Sequence, residues 1–173
     1  SPQRAQEVLQ ELSSSGKGNL TIFTGRQRYQ TTVSEMLGDE DLMSYNMRVQ
    51  TRIDSIQQVI QDATGIADED FVKVPVFYEY EQYNNLDLSI ALNPGIQNLV
   101  TAGSTLFIPD PEGPLEDGLD HWQEATREAL ADSGLTLEFV DVFWGYHVQY
   151  GEAHCGTAVE RTPMSTRWWE VTP

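Results

Sequence analysis

The sequence predicts a layered domain of the α+β or α/β class. From residue 71 onward the predicted elements run strand, strand, strand, helix, strand, an order that combines a hairpin with a crossover helix. The hydrophobic fraction of 39% and the aromatic fraction of 10% are sufficient for a packed core. The 173 residues fit one domain or a large part of one, and no repeat with a fixed period is present.

The first seventy residues are predicted to be mainly helical. A helix over residues 2–12 has proline in its first turn and apolar residues on one face. A short strand over residues 20–23 and a helical turn over residues 31–36 follow. The clearest element is a long helix over residues 41–64, because its apolar residues recur at spacings of three and four. This apolar stripe consists of Leu42, Tyr45, Val49, Ile53, Ile56 and Ile60.

Capping residues mark both ends of the long helix. Gly38 and Asp39 supply capping chemistry at its start, and Gly65 is a typical stop signal. We therefore expect this helix to pack its apolar stripe on a sheet and to carry no chemistry of its own.

Three strands are predicted in the middle of the chain. Residues 71–80 are rich in valine, phenylalanine and tyrosine, but Pro75 within them favours an edge position. Residues 97–100 and 105–109 are short apolar segments on either side of a glycine-containing turn, which predicts a hairpin-like pair.

A second, shorter helix is predicted over residues 120–132, with Gly134 as its stop signal. Residues 111–117 before it are predicted to form a loop, and residues 135–139 after it alternate apolar and polar side chains as a half-buried strand does. The face of this helix predicted to be buried consists of Trp122, Ala125, Ala129 and Leu130.

The composition is strongly acidic, with a formal net charge of −17. Such a surface repels phosphate backbones, which argues against nucleic-acid binding, and attracts basic partners such as arginine-rich peptides. No apolar run approaches the roughly 20 residues that cross a bilayer, so we expect no membrane segment. Lysine occurs only as Lys17 and Lys73, and this balance favours a secreted protein, with the cytoplasm as the alternative.

The chain has a single cysteine, Cys155, so no disulfide can form within it. It lies in a loop predicted to follow a strand, with Gly151 before it and Gly156 after it. Glycines beside a reactive residue allow close backbone approach, and loops at strand ends are where catalytic residues collect. Two interpretations remain open on spacing alone, a nucleophile or an inert buried cysteine.

Three histidines are candidates for a partner of Cys155. His154 precedes it directly, and in an extended segment the two side chains point to opposite faces, so we do not expect His154 to be the partner base. Its imidazolium would still favour the thiolate. His147 is either structural or part of the site wall, and His121 is expected to be solvated or to cap the second helix.

Metal and phosphate motifs are not found. No Cys and His cluster has zinc spacing, and no glycine-rich phosphate loop occurs. The acidic triplets at 39–41 and 68–70 lack the glycine and ligand order of a calcium loop, so we interpret them as solvated helix flanks. The pair Trp168-Trp169 is predicted to be a core or interface anchor.

The segment around Cys155 resembles the C-terminus of protein-arginine deiminases. That terminus contains Tyr-His, then Gly-Glu-x-His-Cys-Gly-Thr, a basic stretch with proline, Trp-Trp and a final proline. In this chain the corresponding residues are Tyr146-His147, residues 151–157, Arg161 with Pro163, Trp168-Trp169 and Pro173. Residues 93–100 and 106–114 resemble two further proline-containing segments of the family, so the resemblance covers nearly the whole chain.

The resemblance implies a fold and a reaction. The fold is part of a pentein-type α/β-propeller of ββαβ units, with residues 1–173 as the C-terminal part of the catalytic domain and residues 71–173 as the unit that bears the nucleophile. The reaction is hydrolysis of protein-bound arginine to citrulline through a covalent thiouronium on Cys155. We predict Cys155 as the catalytic residue, no metal ligand, and three substrate-binding residues: Gln149, His154 and Gly156.

The same resemblance implies partners for this chain. Arginine-containing proteins or peptides are the expected substrates. The family's His-x-Asp pair and its other guanidinium-binding aspartate lie upstream, since none of the three histidines here is followed two residues later by aspartate. We therefore expect an N-terminal chain of the same precursor to supply them, with a simple fragment as the alternative. Calcium is implied as a cofactor, with ligands outside this chain.

Some positions depart from the family pattern and leave other functions open. Gln149 stands where some members have an arginine that contacts the substrate backbone, so peptide preference is expected to differ. Ala158 and Glu160 make the following segment less basic. The alternatives are a pentein that acts on free arginine or agmatine, and a non-catalytic binding module with the same fold. The intact Gly-Glu-x-His-Cys-Gly-Thr run argues against the second.

Overall fold

The computed structural model describes residues 1–160, and within this range helices and sheets are mixed, as the sequence predicts. The α-helices are α1 (Pro2–Ser14), α2 (Val33–Gly38), α3 (Glu40–Thr64) and α4 (His121–Ala129). The strands are β1 (Thr21–Ile22), β2 (Thr31–Thr32), β3 (Tyr78–Tyr83), β4 (Leu86–Ala91), β5 (Val100–Ala102), β6 (Thr105–Pro109), β7 (Leu115–Glu116), β8 (Leu119–Asp120) and β9 (Thr136–Val140).

Some predictions fall beyond this range. Arg161, Pro163, Pro173 and the pair Trp168-Trp169, with its predicted anchoring role, lie outside the described residues. Within the described residues, the helices are all too short or too polar to cross a bilayer.

The main core is formed by α1, α2 and α4. Trp122 of α4 is fully buried and contacts Phe77 edge-on, with ring centroids 5.9 Å apart. The predicted apolar face of α1 is confirmed, since its buried residues are Pro2, Ala5, Val8, Leu9 and Leu12. The Ser1 hydroxyl begins this helix by accepting a hydrogen bond from the Arg4 N–H.

The long helix α3 is confirmed, but the burial predicted for its apolar stripe is only partly confirmed. The first four residues of the stripe are half-buried, namely Leu42, Tyr45, Val49 and Ile53. Asp39 caps its start by accepting a hydrogen bond from the Leu42 N–H, and Gly65 ends it with a left-handed φ of 73°. Ile56 is 60% exposed, whereas the fully buried positions of the helix are polar. The reason is that the helix meets its neighbours through two amide side chains, Asn46 and Gln50.

The predicted strand over residues 71–80 is mostly wrong, because side chains rather than a neighbouring strand satisfy its backbone. The Tyr78 N–H donates to Asn46 Oδ1 at 2.8 Å, and Asn46 Nδ2 donates to the Tyr78 carbonyl at 2.9 Å. The Phe77 N–H likewise donates to Asn93 Oδ1 at 2.8 Å. A ladder begins only at Tyr78, where β3 pairs with β4 in an antiparallel hairpin that the sequence analysis missed.

The sheet next to the cysteine has the order β5-β6-β9. β5 and β6 form an antiparallel hairpin, which is confirmed although its first strand starts at Val100 instead of residue 97. β6 and β9 are parallel, as the predicted crossover helix requires, and α4 lies between them in the chain. One face of the sheet packs Leu106 and Ile108 into a second apolar cluster, and the opposite face carries Phe107, which is 37% exposed.

A small sheet of two-residue strands, β2-β1-β7-β8, joins the N-terminal region to the segment after β6. The strand predicted over residues 20–23 is confirmed as β1, and the helical turn at 31–36 corresponds to α2. The predicted loop at 111–117 is partly wrong, because Leu115 pairs with Thr21 of β1.

Helix α4 is confirmed with a changed face. Asp120 is its N-cap and accepts hydrogen bonds from the N–H groups of Trp122 and Gln123. Ala129 is exposed instead of buried, and Thr126 takes its place in the core by donating its hydroxyl to the Trp122 carbonyl at 2.8 Å. The helix gives way to a 3₁₀ turn and ends at Gly134, as predicted.

We predict that Asn46→Ala destabilises the protein by about 3 kcal/mol, because the buried Tyr78 N–H and carbonyl both lose their partner. Urea unfolding of the wild type and the variant measures the difference. Gln58→Ala is the matched control, since this amide is exposed on the same helix, and we expect a change within about 0.5 kcal/mol. Equal effects of the two substitutions would contradict this account of Asn46.

Burial raises the pKa of Asp120 from 3.8 to about 6, against the lowering effect of three backbone N–H donors. The native state then holds this proton more tightly than the unfolded state, so this carboxyl group contributes its full stabilisation below pH 4 and loses it as the pH rises through about 6. We predict that wild type loses about 3 kcal/mol relative to Asp120→Asn between pH 4 and pH 7. Urea unfolding at each pH tests this, and a constant difference would contradict it.

Candidate active site

Cys155 lies in the long connection that follows β9. Because β6 and β9 are parallel, their carboxyl ends meet at one edge of the sheet, where functional residues of such sheets collect. The Asp110 N–H donates to the Val140 carbonyl at 2.9 Å, which extends the pairing with β9 one residue beyond the end of β6. The connection then returns through two 3₁₀ turns, His147–Gln149 and His154–Gly156. We call the second of these the cysteine turn.

The start of the connection is fixed by Arg26. Its guanidinium pairs with Asp141 at 2.8 Å and also with Glu112, and it lies 4.9 Å from the centroid of the Phe143 ring. Partial burial acts to raise the pKa of Asp141, but hydrogen bonds from Arg26 and from the Phe143 N–H outweigh it, so the pKa lies below its usual value. The carboxylate is thus ionised where the connection leaves the sheet.

The middle of the connection contains a buried His–Glu pair. His147 Nδ1 lies 2.8 Å from Glu152 Oε1, and the two side chains are only 10% and 12% exposed. His147 Nε2 lies 3.2 Å from the carbonyl oxygen of Leu92, the residue after β4. The same Glu152 oxygen accepts a hydrogen bond from the Gly95 N–H at 3.1 Å. Of the two roles predicted for His147, the structural one describes these contacts.

The cysteine turn rests on residues 93–98, which we call the asparagine turn. The His154 N–H donates to both the carbonyl and the Oδ1 of Asn98, at 3.3 and 3.0 Å. The N–H groups of Gly156 and Thr157 bond back to Ala153 and His154. The backbone of the turn is therefore fixed while the Cys155 side chain is exposed. The burial assumed in the alternative interpretation of Cys155 is therefore wrong for this chain.

His154 does not occupy the extended segment that the sequence analysis assumed. It begins a 3₁₀ turn, so the argument from opposite faces does not apply to it. Its residue is exposed, and within residues 1–160 its ring makes no hydrogen bond to the Cys155 sulfur. Gln149 is also exposed, and its amide donates to the Gly145 carbonyl of its own loop at 3.4 Å. Among residues 1–160, neither side chain forms a hydrogen bond to the Cys155 sulfur.

His121 forms a separate His–Glu pair, with Glu116 as its partner. Its Nε2 lies 3.0 Å from Glu116 Oε2, and its side chain is 19% exposed. The prediction that it is solvated or caps α4 is therefore wrong, because Asp120 is the cap and Glu116 is the partner.

Gly156 is required by a close contact with Tyr146. A Cβ at this position would lie 2.5 Å from Cζ of the Tyr146 ring, whereas a Cβ on Gly151 would make ordinary contacts of 3.5 Å or more. Of these two glycines, only Gly156 is sterically unfavourable to replace by a larger residue. Tyr146 was noted in the sequence only as part of a motif, and its position over the cysteine turn could not be read from it.

An apolar cleft of about 800 Å³ lies beside the cysteine turn, on the exposed face of the β5-β6-β9 sheet. Glu160 is the one carboxylate among the described residues that line it. A guanidinium group binds best to paired carboxylates, which these residues do not supply. The apolar part of its wall includes Val100, Ala102, Phe107, Val140, Val142 and Tyr146.

Acidic, histidine and cysteine side chains are not clustered in the manner of a metal site in the part of the chain that the structure describes. Among residues 1–160, no group of three or more His, Cys, Asp or Glu side chains is placed to hold a metal ion. The described residues therefore do not supply the six to eight oxygen ligands that calcium prefers.

Comparison with known proteins identifies the family. The model of the family described as protein-arginine deiminase (PAD) matches residues 1–170. The chain belongs to the protein-arginine deiminase family. It is 34% identical to protein-arginine deiminase type-4 of Mus musculus, 33% to type-3 of Homo sapiens and 32% to type-1 of Homo sapiens. Each comparison covers 100% of this chain and 26% of the relative, so the chain spans about a quarter of their length. The resemblance found in the sequence is confirmed.

We predict that Gly156→Ala destabilises the protein by about 1 kcal/mol, because the new methyl group displaces the Tyr146 ring, a side chain that is free to move toward solvent. Gly151→Ala is the matched control in the same loop, with an expected change within about 0.5 kcal/mol. Urea unfolding measures both. If the two substitutions had the same effect, the contact between Gly156 and Tyr146 would not be the reason for the glycine.

Proposed function

We propose that this chain supplies the nucleophile of a protein-arginine deiminase, which hydrolyses arginine side chains in proteins to citrulline and ammonia. One observation carries the proposal. The single cysteine of a chain in this family is exposed on a turn whose backbone is held by hydrogen bonds. Its neighbours Ala153 and Gly156, although not Cys155 itself, line the adjacent cleft. A fixed backbone with an accessible thiol is the arrangement that covalent catalysis by cysteine requires.

The proposed reaction has two halves. The Cys155 thiolate attacks the guanidinium carbon, a carbon–sulfur bond forms, and a carbon–nitrogen bond breaks as ammonia leaves with a proton. Water then attacks the same carbon, the carbon–sulfur bond breaks, and citrulline and the thiol are released. A guanidinium is a weak electrophile, so the first half needs a thiolate and carboxylates that hold the guanidinium nitrogens.

We propose that the missing groups come from polypeptide beyond these 173 residues, an upstream segment or a partner chain. The described cleft offers a single carboxylate, and no histidine ring within residues 1–160 bonds to Cys155. The relatives are about four times as long as this chain, so the general acid/base and the guanidinium clamp have room elsewhere. In the same proposal, β5, β6, α4 and β9 form the last ββαβ unit of a pentein-type propeller, in residues 71–173.

The remaining site residues are assigned by position. Gln149, His154 and Gly156 are proposed to contact the substrate, with Gly156 leaving room for Tyr146 and for close approach of the peptide. Gln149 and His154 have exposed side chains that can turn toward a bound peptide. Calcium dependence and secretion stay predictions, the first from the resemblance and the second from the acidic, lysine-poor composition.

The full-length protein that contains this chain provides the test. We predict that Cys155→Ala and Cys155→Ser each lower citrulline formation from an arginine peptide by about a thousandfold or more, because neither side chain supplies a thiolate. Turnover is measured with and without calcium, and on free arginine in parallel. His121→Gln, which changes a histidine in α4, is the control and should leave turnover unchanged.

Each outcome has one meaning. Wild-type turnover that survives in Cys155→Ala would rule out the proposed nucleophile. Faster turnover of free arginine than of the peptide would favour the free-arginine or agmatine class, and no turnover by the wild type under any condition would favour a non-catalytic module.

A further inference from the structure

Two residues just before Cys155 both hydrogen-bond to the asparagine turn. Glu152, three positions before it, accepts the Gly95 N–H, and the His154 N–H, one position before it, donates to Asn98. The first four residues of the asparagine turn are buried, and Asn93 and Ile96 are at most 1% exposed. Gly95, which binds Glu152, belongs to this packed part of the turn, whereas the hydrogen bond from His154 to Asn98 is exposed.

His147 connects Glu152 to a second element, the β3–β4 hairpin. Its Nδ1 faces the Glu152 carboxylate and its Nε2 faces the Leu92 carbonyl, immediately after β4. Both contacts lie within hydrogen-bond distance, and which ring nitrogen donates depends on the tautomer of His147. A histidine ring that bonds through both nitrogens is fixed in its orientation between Glu152 and the hairpin.

The burial of the His147–Glu152 pair limits the positions that the two side chains can adopt. The two side chains are about nine-tenths buried, and Phe143 packs against the His147 ring with centroids 5.3 Å apart. Glu152 Oε2 has no hydrogen-bond partner among residues 1–160, so the whole constraint passes through Oε1, which faces both His147 and Gly95. Loss of Oε1 would remove the contacts of Glu152 with Gly95 and with His147 at once, and would leave in place the hydrogen bonds from His154 to Asn98.

We propose that His147 and Glu152 are positioning residues, which set the direction of the Cys155 sulfur by fixing the cysteine turn to the asparagine turn and the β3–β4 hairpin. Neither residue touches the reacting atoms. This inference rests on the proposed deiminase function, because its readout is the turnover of Cys155.

The chain contains a matched control pair. His121 and Glu116 are also five residues apart, also form a close His–Glu contact at 3.0 Å, and lie at the start of α4 and in β7. Removing Glu116 takes away a His–Glu contact, together with an ion pair to Lys17 at 2.7 Å, without touching the connection that carries Cys155. A merely structural effect of losing such a pair would appear in both variants.

The experiment compares Glu152→Ala, Glu152→Gln and Glu116→Ala in the full-length protein. We expect Glu152→Ala to lower kcat on an arginine peptide by about 100-fold, the effect of a small misplacement of a reacting group, with little change in KM. Glu152→Gln keeps an oxygen that can accept from His147 and Gly95, and should restore most of kcat. Glu116→Ala should match the wild type.

A second readout separates aim from reactivity. Cys155 is exposed, so a small reagent such as iodoacetamide reaches the sulfur from solvent without the precise approach that catalysis needs. Mass spectrometry of the peptide containing Cys155 gives its alkylation rate, which we expect to be nearly the same in Glu152→Ala and the wild type. His147→Phe keeps the ring volume beside Phe143 and tests the pair if Glu152→Ala fails to fold.

Three results would overturn the inference while leaving the proposed function intact. These are wild-type kcat in both Glu152→Ala and His147→Phe, a loss of alkylation that parallels the loss of kcat, or Glu152→Gln as inactive as Glu152→Ala. Failure of the proposed function itself would appear differently, as absence of turnover in the wild-type protein.

Discussion

The structure depends on buried backbone groups that are satisfied by side chains instead of by strands. Asn46 makes a two-way bond with Tyr78, Asn93 accepts from Phe77, and Glu152 accepts from Gly95. An unpaired N–H or carbonyl in these places would cost free energy comparable to a lost hydrogen bond, so these polar side chains are as necessary to the interior as its apolar ones. Their positions determine where the hairpin begins and where the asparagine turn lies.

In the proposed function, these hydrogen bonds determine the position of the reactive cysteine. The backbone of the cysteine turn is held by Asn98 and through Glu152, while Arg26 fixes the other end of the connection beside β9. A nucleophile on a flexible loop would spend part of its time out of line with the substrate, and a nucleophile inside the sheet would be inaccessible. The observed connection has both ends fixed and the thiol exposed, which satisfies both requirements.

Sequence patterns succeeded where one local rule decides the outcome. The spacing of apolar residues predicted α1 and the extent of α3. The glycine stop signals Gly65 and Gly134 predicted the end of α3 and the end of the helical segment that contains α4. The same patterns failed where long-range polar contacts decide. The alternation of valine and phenylalanine in residues 71–80 does not reveal that Asn46, about thirty positions away, takes the place of a neighbouring strand.

The site shows the same division. Cys155 could be singled out from its glycines and its motif, and the family resemblance agreed. The roles of Glu152 and Asn98 could not be predicted from periodicity, because their partners Gly95 and His154 lie 57 and 56 positions away. Both residues nevertheless stand in the motifs that carry the resemblance. The extended geometry assumed for His154 failed because hydrogen bonds back to Ala153 and His154 close the segment into a 3₁₀ turn.

An accessible sulfur also has a chemical liability. Peroxide converts an exposed thiolate first to a sulfenic acid, which thiols can reduce again, and then to sulfinic and sulfonic acids, which they cannot. With no second cysteine in this chain, a sulfenic acid at Cys155 has no neighbour here with which to form a protective disulfide. Peroxide in solution would therefore end in permanent loss of this thiol unless an external reductant intercepts the first oxidation product.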